Sequence, residues 1–376
     1  MSRIGINLLY INPKFSGGSV TYAKKLIQSL QQQEDENEYI VYINKDCNSD
    51  DFSNRKFTVR VIPFSYSNVY YRYFWEQFIF PFFLLKDSLD ILHSLGYVCP
   101  IFAPCKQIVS ILDINFKGHG AQMKPLKRFL LSIMVSLSSK ISKKIITISR
   151  FSKAEICSYL NVSEQKVIVT HLSGSTDEIV NKSSNKSDVL QKYNIQKPYL
   201  VAFNSTSPHK NIERLISAFD LIAKSNSELK LLLIGHNYTS PHINKMLENE
   251  LLKSKIVFTG FVPDADIPDL IKNSSVFVFP SLYEGFGIPL LDAQSLGVPI
   301  ASSHAGSLPE VGGSGVLYFN PSVYTEICNA IKKFDDLDFR NQCVQINYSN
   351  RNLFSWEKTA AETRLVYNQL LKKDGE

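Results

Sequence analysis

The chain has 376 residues, of which 44% are hydrophobic, 12% aromatic and 20% charged, with a formal net charge of +6. Such a composition excludes a disordered or fibrous protein and can fill two cores, so two domains of somewhat under about two hundred residues each are expected. The positive excess is modest and no aromatic-basic recognition motif accompanies it, which argues against nucleic acid and for phosphate or an anionic membrane surface as partner.

Short apolar, β-rich runs alternate with helical patterns along the chain, the signature of βα units around parallel sheets. The first half offers "RIGINLLY", "YIVYIN", "FTVRVIPF", "DILHS", "QIVSILDI", "KIITIS" and "KVIVTHLS". A polar run rich in Ser, Asn and Lys, residues 173–197, reads as a linker. The second half restarts with "YLVAFNS" and continues through "LKLLLIG", "KIVFTG", "VFVFPS", "PIASS" and "GVLYFN". The expected architecture is α/β: two Rossmann-like doubly wound domains facing a central cleft, residues 1–190 and 191–355. A helix over 356–376, with Ser355 as its cap, closes back toward the first domain.

The N-terminal run is short and broken by Gly5 and Asn7, unlike a secretory signal, and the strongest apolar windows, residues 78–85 and 129–137, fall far below the roughly 20 residues of a membrane span. The expectation is a cytoplasmic protein, at most peripheral at the inner face of the plasma membrane. Six cysteines without a C-x-x-C pair point to reduced thiols. Residues 125–144 put Leu126, Phe129, Leu130, Ile133, Met134, Leu137 and Ile141 on one helical face with basic residues at both ends. Core packing and membrane contact both account for that stripe.

The stretch "SLYEGFGIPLLDAQSLGVPI" begins at the end of a buried-strand pattern, and its Gly-Phe-Gly leads into a helix that Pro289 can open. Such a turn offers free N–H groups and a positive helix end, which suit a diphosphate. Glu284 before the turn and Asp292 two helical turns later are acceptors for sugar and ribose hydroxyls. Two Asp-x-Asp triplets, at 264–266 and 336–338, share the spelling of a metal-binding carboxylate pair. Asp264 reads as a helix cap and the second lies in a polar connection, so no metal is expected.

With "FTGFVPDADIPDLIKNSSVFVFPS", "PHKNIERLISAF", the Gly17-Gly18 turn after the first strand and "LHSLGYVCP", this stretch resembles the family-4 (group 1) retaining glycosyltransferases of the GT-B fold, most densely over residues 199–321. The resemblance implies a hexosyltransferase working without metal or other cofactor on a GDP- or UDP-linked sugar. Its acceptor would be a saccharide or lipid-linked saccharide, as in bacterial surface polysaccharides such as O-antigen or capsule, with mannose the favoured hexose. It implies that Glu284 contacts the donor sugar, and that Gly285, Phe286, Gly287 and Ile288 present backbone to sugar and diphosphate. Asp292 would bind ribose, Lys210 the phosphates, and Gly17 and Gly18 would let backbone approach the ligand.

Four departures stand out. Asp292 replaces the usual Glu, and Asn204 stands where relatives commonly have Gly. No Arg is evident beside Lys210 as a second phosphate ligand. Leu112-Asp113 replaces a His-Asp pair, leaving Asp113, His93 or His119 to supply the missing polarity. A catalytically impaired nucleotide-sugar-binding homologue and a GT-B epimerase are the alternatives.

Overall fold

The computed structural model describes residues 2–13, 17–66, 68–118, 123–175, 188–237 and 239–372. The chain folds as two compact units, one formed by residues 1–172 with 355–376 and the other by residues 173–354.

In the first unit, β1 (Arg3–Asn7), β2 (Glu38–Asn44), β3 (Phe57–Ile62), β4 (Ile91–Ser94), β5 (Lys106–Ser110), β6 (Lys144–Thr147) and β7 (Val167–Val169) form one sheet ordered β3-β2-β1-β4-β5-β6-β7. Each pairing is parallel. The second unit holds β8 (Tyr199–Asn204), β9 (Lys230–Gly235), β10 (Ile256–Phe258), β11 (Val276–Phe279), β12 (Ile300–Ser303) and β13 (Leu317–Phe319), ordered β10-β9-β8-β11-β12-β13 and likewise parallel. Every run read as a strand in the sequence is a strand here. The inner strands read as continuous apolar runs because helices cover both faces of a parallel sheet. In the second unit separate apolar clusters accordingly line the two sides of the sheet, and in the first unit two clusters lie along one face of the sheet, one over β2–β4 and the other over β5–β7.

The helices that bear on function are α1 (Gly18–Gln32), α2 (Val69–Phe74), α3 (Phe80–Asp87), α4 (Pro125–Ile141), α5 (Arg150–Leu160), α6 (Ile212–Ala223), α7 (Ile288–Ser295), α8 (Leu337–Arg351) and α9 (Trp356–Leu371). A π-helical stretch, Trp75–Ile79, joins α2 to α3. Ser355 caps α9 by accepting from Lys358 N, as the sequence implied. That helix belongs to the first unit and packs on α1 and β4. Its buried side is Thr359, Ala360, Thr363, Val366 and Tyr367, while Leu365 faces solvent.

The first unit ends at Leu172, not near residue 190, because the next residues bond into the second unit: Ser173 Oγ donates to Phe354 O (3.1 Å) and Ser175 holds Asp292. Residues 176–187, within the run read as a linker, lie outside the described residues. A second correction concerns Asp264. The short helix Ile267–Lys272 starts after Asp266, whose carboxylate takes Lys192 Nζ (2.5 Å) and Tyr193 OH (2.9 Å) instead of capping. Asp336 does cap α8, accepting from Asp338 N and Phe339 N.

Candidate functional site

Strand order reverses direction between β8 and β11 in the second unit, so the loops leaving those two strands diverge around one point at the carboxyl edge of the sheet, where open α/β sheets bind ligands. The loop after β8 carries "PHKN" and the loop after β11 carries "YEGFG". Pro208–Lys210 make one 3-10 turn, and Asn211 then takes the left-handed conformation (φ 60°) that opens α6. Buried Asn211 donates through Nδ2 to Pro280 O (2.9 Å) and Pro321 O (2.8 Å). With the Leu282 N to His209 O bond (2.7 Å), it ties the loops after β8, β11 and β13 together.

That clamp brings Lys210 to Glu284. Lys210 Nζ lies 2.6 Å from Glu284 Oε1, with the two side chains 25% and 14% exposed, and 5.4 Å from the centre of the Phe279 ring. The Glu284 backbone is fixed from the other side, since its carbonyl accepts from Ser307 N (3.1 Å) and Ser307 Oγ (3.0 Å). Gly306 permits this approach: at φ 63° any Cβ there would meet Glu284 O at 2.5 Å. Gly287 (φ 96°) begins α7 without a side-chain cap, and a Cβ on it would strike Leu308. Phe286 buries its ring against Phe354, with centroids 6.0 Å apart, and so anchors the Gly285–Gly287 turn. Ile288 is the first residue of α7, so the positive helix end and Lys210 both adjoin Glu284.

Asp292, the expected ribose contact, lies on α7. It is buried, and its two oxygens accept from Ser175 N (2.6 Å) and Ser175 Oγ (2.6 Å). Gly174 suits this packing, because a Cβ there would lie 2.8 Å from Asp292 Oδ1. Asn204, in place of the usual Gly, donates from Nδ2 to His236 O (2.7 Å) and ends β8. An arginine does stand near "PHK": Arg214, one turn into α6, donates to Asn211 Oδ1 (2.9 Å). It also lines a cavity of about 210 Å³ with Asn204, Ser205, Asn211, Ser240 and Leu282. Ser175, Asn211, Arg214 and Ser307 carry no sequence signal of their own beyond their places within or beside recognised motifs.

The first unit holds the other expected residues. Gly17 precedes α1 with extended backbone (φ −175°), and a Cβ on Gly17 or Gly18 would meet nothing within 4 Å, so local packing does not demand glycine at either position. Asp113, in the loop after β5, accepts from Tyr97 OH (3.2 Å) and Asn115 N (3.1 Å). Leu112 beside it is buried at 5% exposure. His119 lies outside the described residues.

His93 is a correction to the expected catalytic set. It is fully buried on β4, with Nδ1 2.7 Å from Tyr367 OH and Nε2 2.8 Å from Ser110 Oγ, and Ser110 in turn lies 3.0 Å from Tyr22 OH. Burial pushes its pKa down to about 3. It therefore sits as a neutral ring joining α9 and α1 to the centre of the sheet, away from any surface a sugar could reach.

Near the switch point of this sheet, between β1 and β4, lies a group the sequence did not flag. Asn7 Nδ2 donates to Glu76 Oε1 (2.7 Å) and to Ser94 Oγ (3.1 Å), and Arg72 Nε stands 3.6 Å from Glu76 Oε2. Burial raises the Glu76 pKa, opposed by Arg72. Glu76 lies on the π-helical stretch, a feature frequent at functional sites.

Residues 185–352 match the family described as glycosyl transferases group 1. The chain is 32% identical over 243 residues to O-antigen chain mannosyltransferase B of Escherichia coli, covering 64% of this chain and 63% of that protein. It is 28% identical over 239 residues to the serotype-specific mannosyltransferase WbdA of Escherichia coli, covering 62% of this chain but 29% of that protein. The chain thus spans less than two thirds of the length of these relatives. Among solved structures, Anabaena Alr3699/HepE in complex with UDP and glucose superposes with a TM-score of 0.74 at 16% identity, over 98% of this chain and all of that one. The two parallel sheets give this chain the GT-B fold, and its residues 185–352 are similar to the group 1 glycosyltransferases.

Proposed function

We propose that this protein is a metal-independent, retaining hexosyltransferase of surface polysaccharide assembly. It would move a hexose, mannose for preference, from a GDP- or UDP-linked donor to a saccharide or lipid-linked saccharide at the cytoplasmic face of the membrane. The observation that carries the reading is the 2.6 Å pairing of Lys210 with Glu284 beside the start of α7. The names of the O-antigen mannosyltransferases it resembles supply the acceptor class and the sugar.

In this reading the bond from the anomeric carbon to the diphosphate breaks, and the charge that develops on the leaving oxygen meets Lys210 and the positive end of α7. Glu284 holds the sugar hydroxyls. The acceptor oxygen bonds to the anomeric carbon on the face the diphosphate leaves, and its proton passes to a diphosphate oxygen. No side-chain base is then required. Asp292, fixed by Ser175, adjoins the ribose.

The test is transfer from GDP-mannose and UDP-hexoses to lipid-linked saccharides: Glu284→Ala abolishes product, and an undiminished rate refutes the assignment. Nucleotide binding by calorimetry with no product on any acceptor would favour a catalytically impaired homologue, a reading to which buried Leu112 lends weight. A new sugar nucleotide formed without acceptor would favour an epimerase.

A further inference from the structure

The helix α4 turns part of its apolar stripe outward. Its fully buried residues are Val135, Ser138 and Ser139, whereas Leu126, Phe129 and Ile133, one row at i, i+3 and i+7, point outward, with Phe129 62% exposed. A second outward row runs from the end of α2 through the π-helical stretch and α3: Phe74, Phe78, Phe82 and Leu85, with Phe82 66% exposed. Hydrogen bonds join the elements that bear these rows. Gln77 Nε2 donates to Cys99 O (3.2 Å), Ile101 N donates to Gln77 Oε1 (2.9 Å), and Cys99 N donates to Ser138 Oγ (3.0 Å). Phe102, 67% exposed, follows directly on that bridge.

Charge selects the occupant. From residue 114 to residue 154 the sequence has no Asp or Glu and nine Lys or Arg. Lys124 and Lys127 stand at one end of α4 and Lys140, Lys143 and Lys144 at the other. Outward aromatic and aliphatic rows rimmed by lysines match the two components of interfacial lipid binding, apolar insertion and attraction to anionic headgroups. Among the described residues no helix is long and apolar enough to cross a membrane, so contact is at the surface.

We propose that the first unit docks on an anionic lipid bilayer through the outward rows of α4 and of the Trp75–Asp87 segment. The inference deepens the reading above by naming the surface on which a lipid-linked acceptor would be met, and it rests on that reading only for this purpose.

The test is sedimentation of the full chain with phosphatidylcholine vesicles, with and without phosphatidylglycerol, in the absence of donor and acceptor. Binding is expected to require phosphatidylglycerol and to weaken with salt. The double variant Phe78→Ser/Phe82→Ser should bind at least about tenfold more weakly. Lys124→Glu/Lys127→Glu should also lose at least about tenfold, each lysine contributing about fivefold. GDP or UDP binding and the unfolding midpoint, unchanged in both variants, show that they are folded. Equal binding to neutral vesicles, or variants that bind as the parent does, overturns the proposal. So does a concentration-dependent dimer abolished by the same substitutions without vesicle binding, which would assign the face to a second copy of the chain. Because no sugar is transferred in this experiment, its failure and failure of the transfer assay are separate results.

Discussion

Acidification should destabilise the first unit through His93, and the size of the effect follows from its surroundings. The ring is fully buried and its pKa falls from 6.5 to about 3, so the native state stays unprotonated at pH values where the unfolded chain takes up a proton. A depressed folded pKa means that the contribution is complete above pH 6.5 and is lost as pH falls toward 3. Lowering the pH to about 5 crosses one and a half pH units of that window, which at about 1.36 kcal/mol per unit costs about 2 kcal/mol. The assay follows the first unit because the two tryptophans, Trp75 and Trp356, both belong to it, so their fluorescence in a denaturant titration reports its unfolding. Other groups titrate over the same range, so the quantity to compare is the change between about pH 7.5 and pH 5 in the parent and in His93→Gln. The parent should lose about 2 kcal/mol more than the variant. Tyr367→Phe keeps the imidazole but removes the partner of Nδ1, and it should retain the acid sensitivity at lower overall stability. Equal pH dependence in the parent and His93→Gln would refute the buried neutral ring.

Three further outcomes concern the second unit. Lys210→Ala should weaken GDP or UDP binding by about ten- to a hundredfold, the value of one charge-assisted contact, while leaving nucleoside binding unchanged; calorimetry with both ligands checks this. Gly306→Ala forces a Cβ to within 2.5 Å of Glu284 O at φ 63°, so sugar transfer should fall at least about tenfold with the tryptophan-reported transition unmoved. Asn211→Ala leaves the buried carbonyls of Pro280 and Pro321 without their donor and puts alanine in the left-handed region, at a cost of about 2–4 kcal/mol by calorimetry. Asn211→Gly relieves the backbone part and should be milder; equal losses for Ala and Gly would remove the conformational half of that account.

The strands were legible because a parallel sheet covered on both faces needs continuous apolar runs, and a sequence shows these directly, as "YIVYIN" and "LKLLLIG" do. Helix faces were less so. Periodicity puts the apolar stripe of α4 on one face and leaves core and membrane contact both open, and the helix buries Ser138 and Ser139, because Ser138 Oγ accepts from Cys99 N and returns a bond to Met134 O. Periodicity tells which residues share a face but not whether that face turns inward. His93 illustrates the same limit for chemistry. Its place at a strand end suggests a site, whereas the ring is sealed by Tyr367, which is 274 residues away in sequence and invisible to any local pattern.

In the second unit the site was legible as motifs and not as a constellation. Lys210 and Glu284 each belong to a recognisable stretch, but their contact depends on β8 and β11 being neighbours at the reversal of strand order, and on Asn211 locking three loops by two bonds from one amide. The same locking explains the glycines. Gly287 and Gly306 are held at positive φ with Leu308 and the Glu284 carbonyl where a Cβ would go, so they are fixed by the fold before any ligand is considered. Gly17 and Gly18 face no such neighbour and take no such angle, and the first unit's own packing gives no reason for glycine there. A Gly17→Ala substitution should therefore cause no clash and cost the first unit only the N-cap preference for glycine over alanine, at most about 1 kcal/mol, so a loss of transfer without a larger loss of stability would point to the space that its backbone leaves to a ligand.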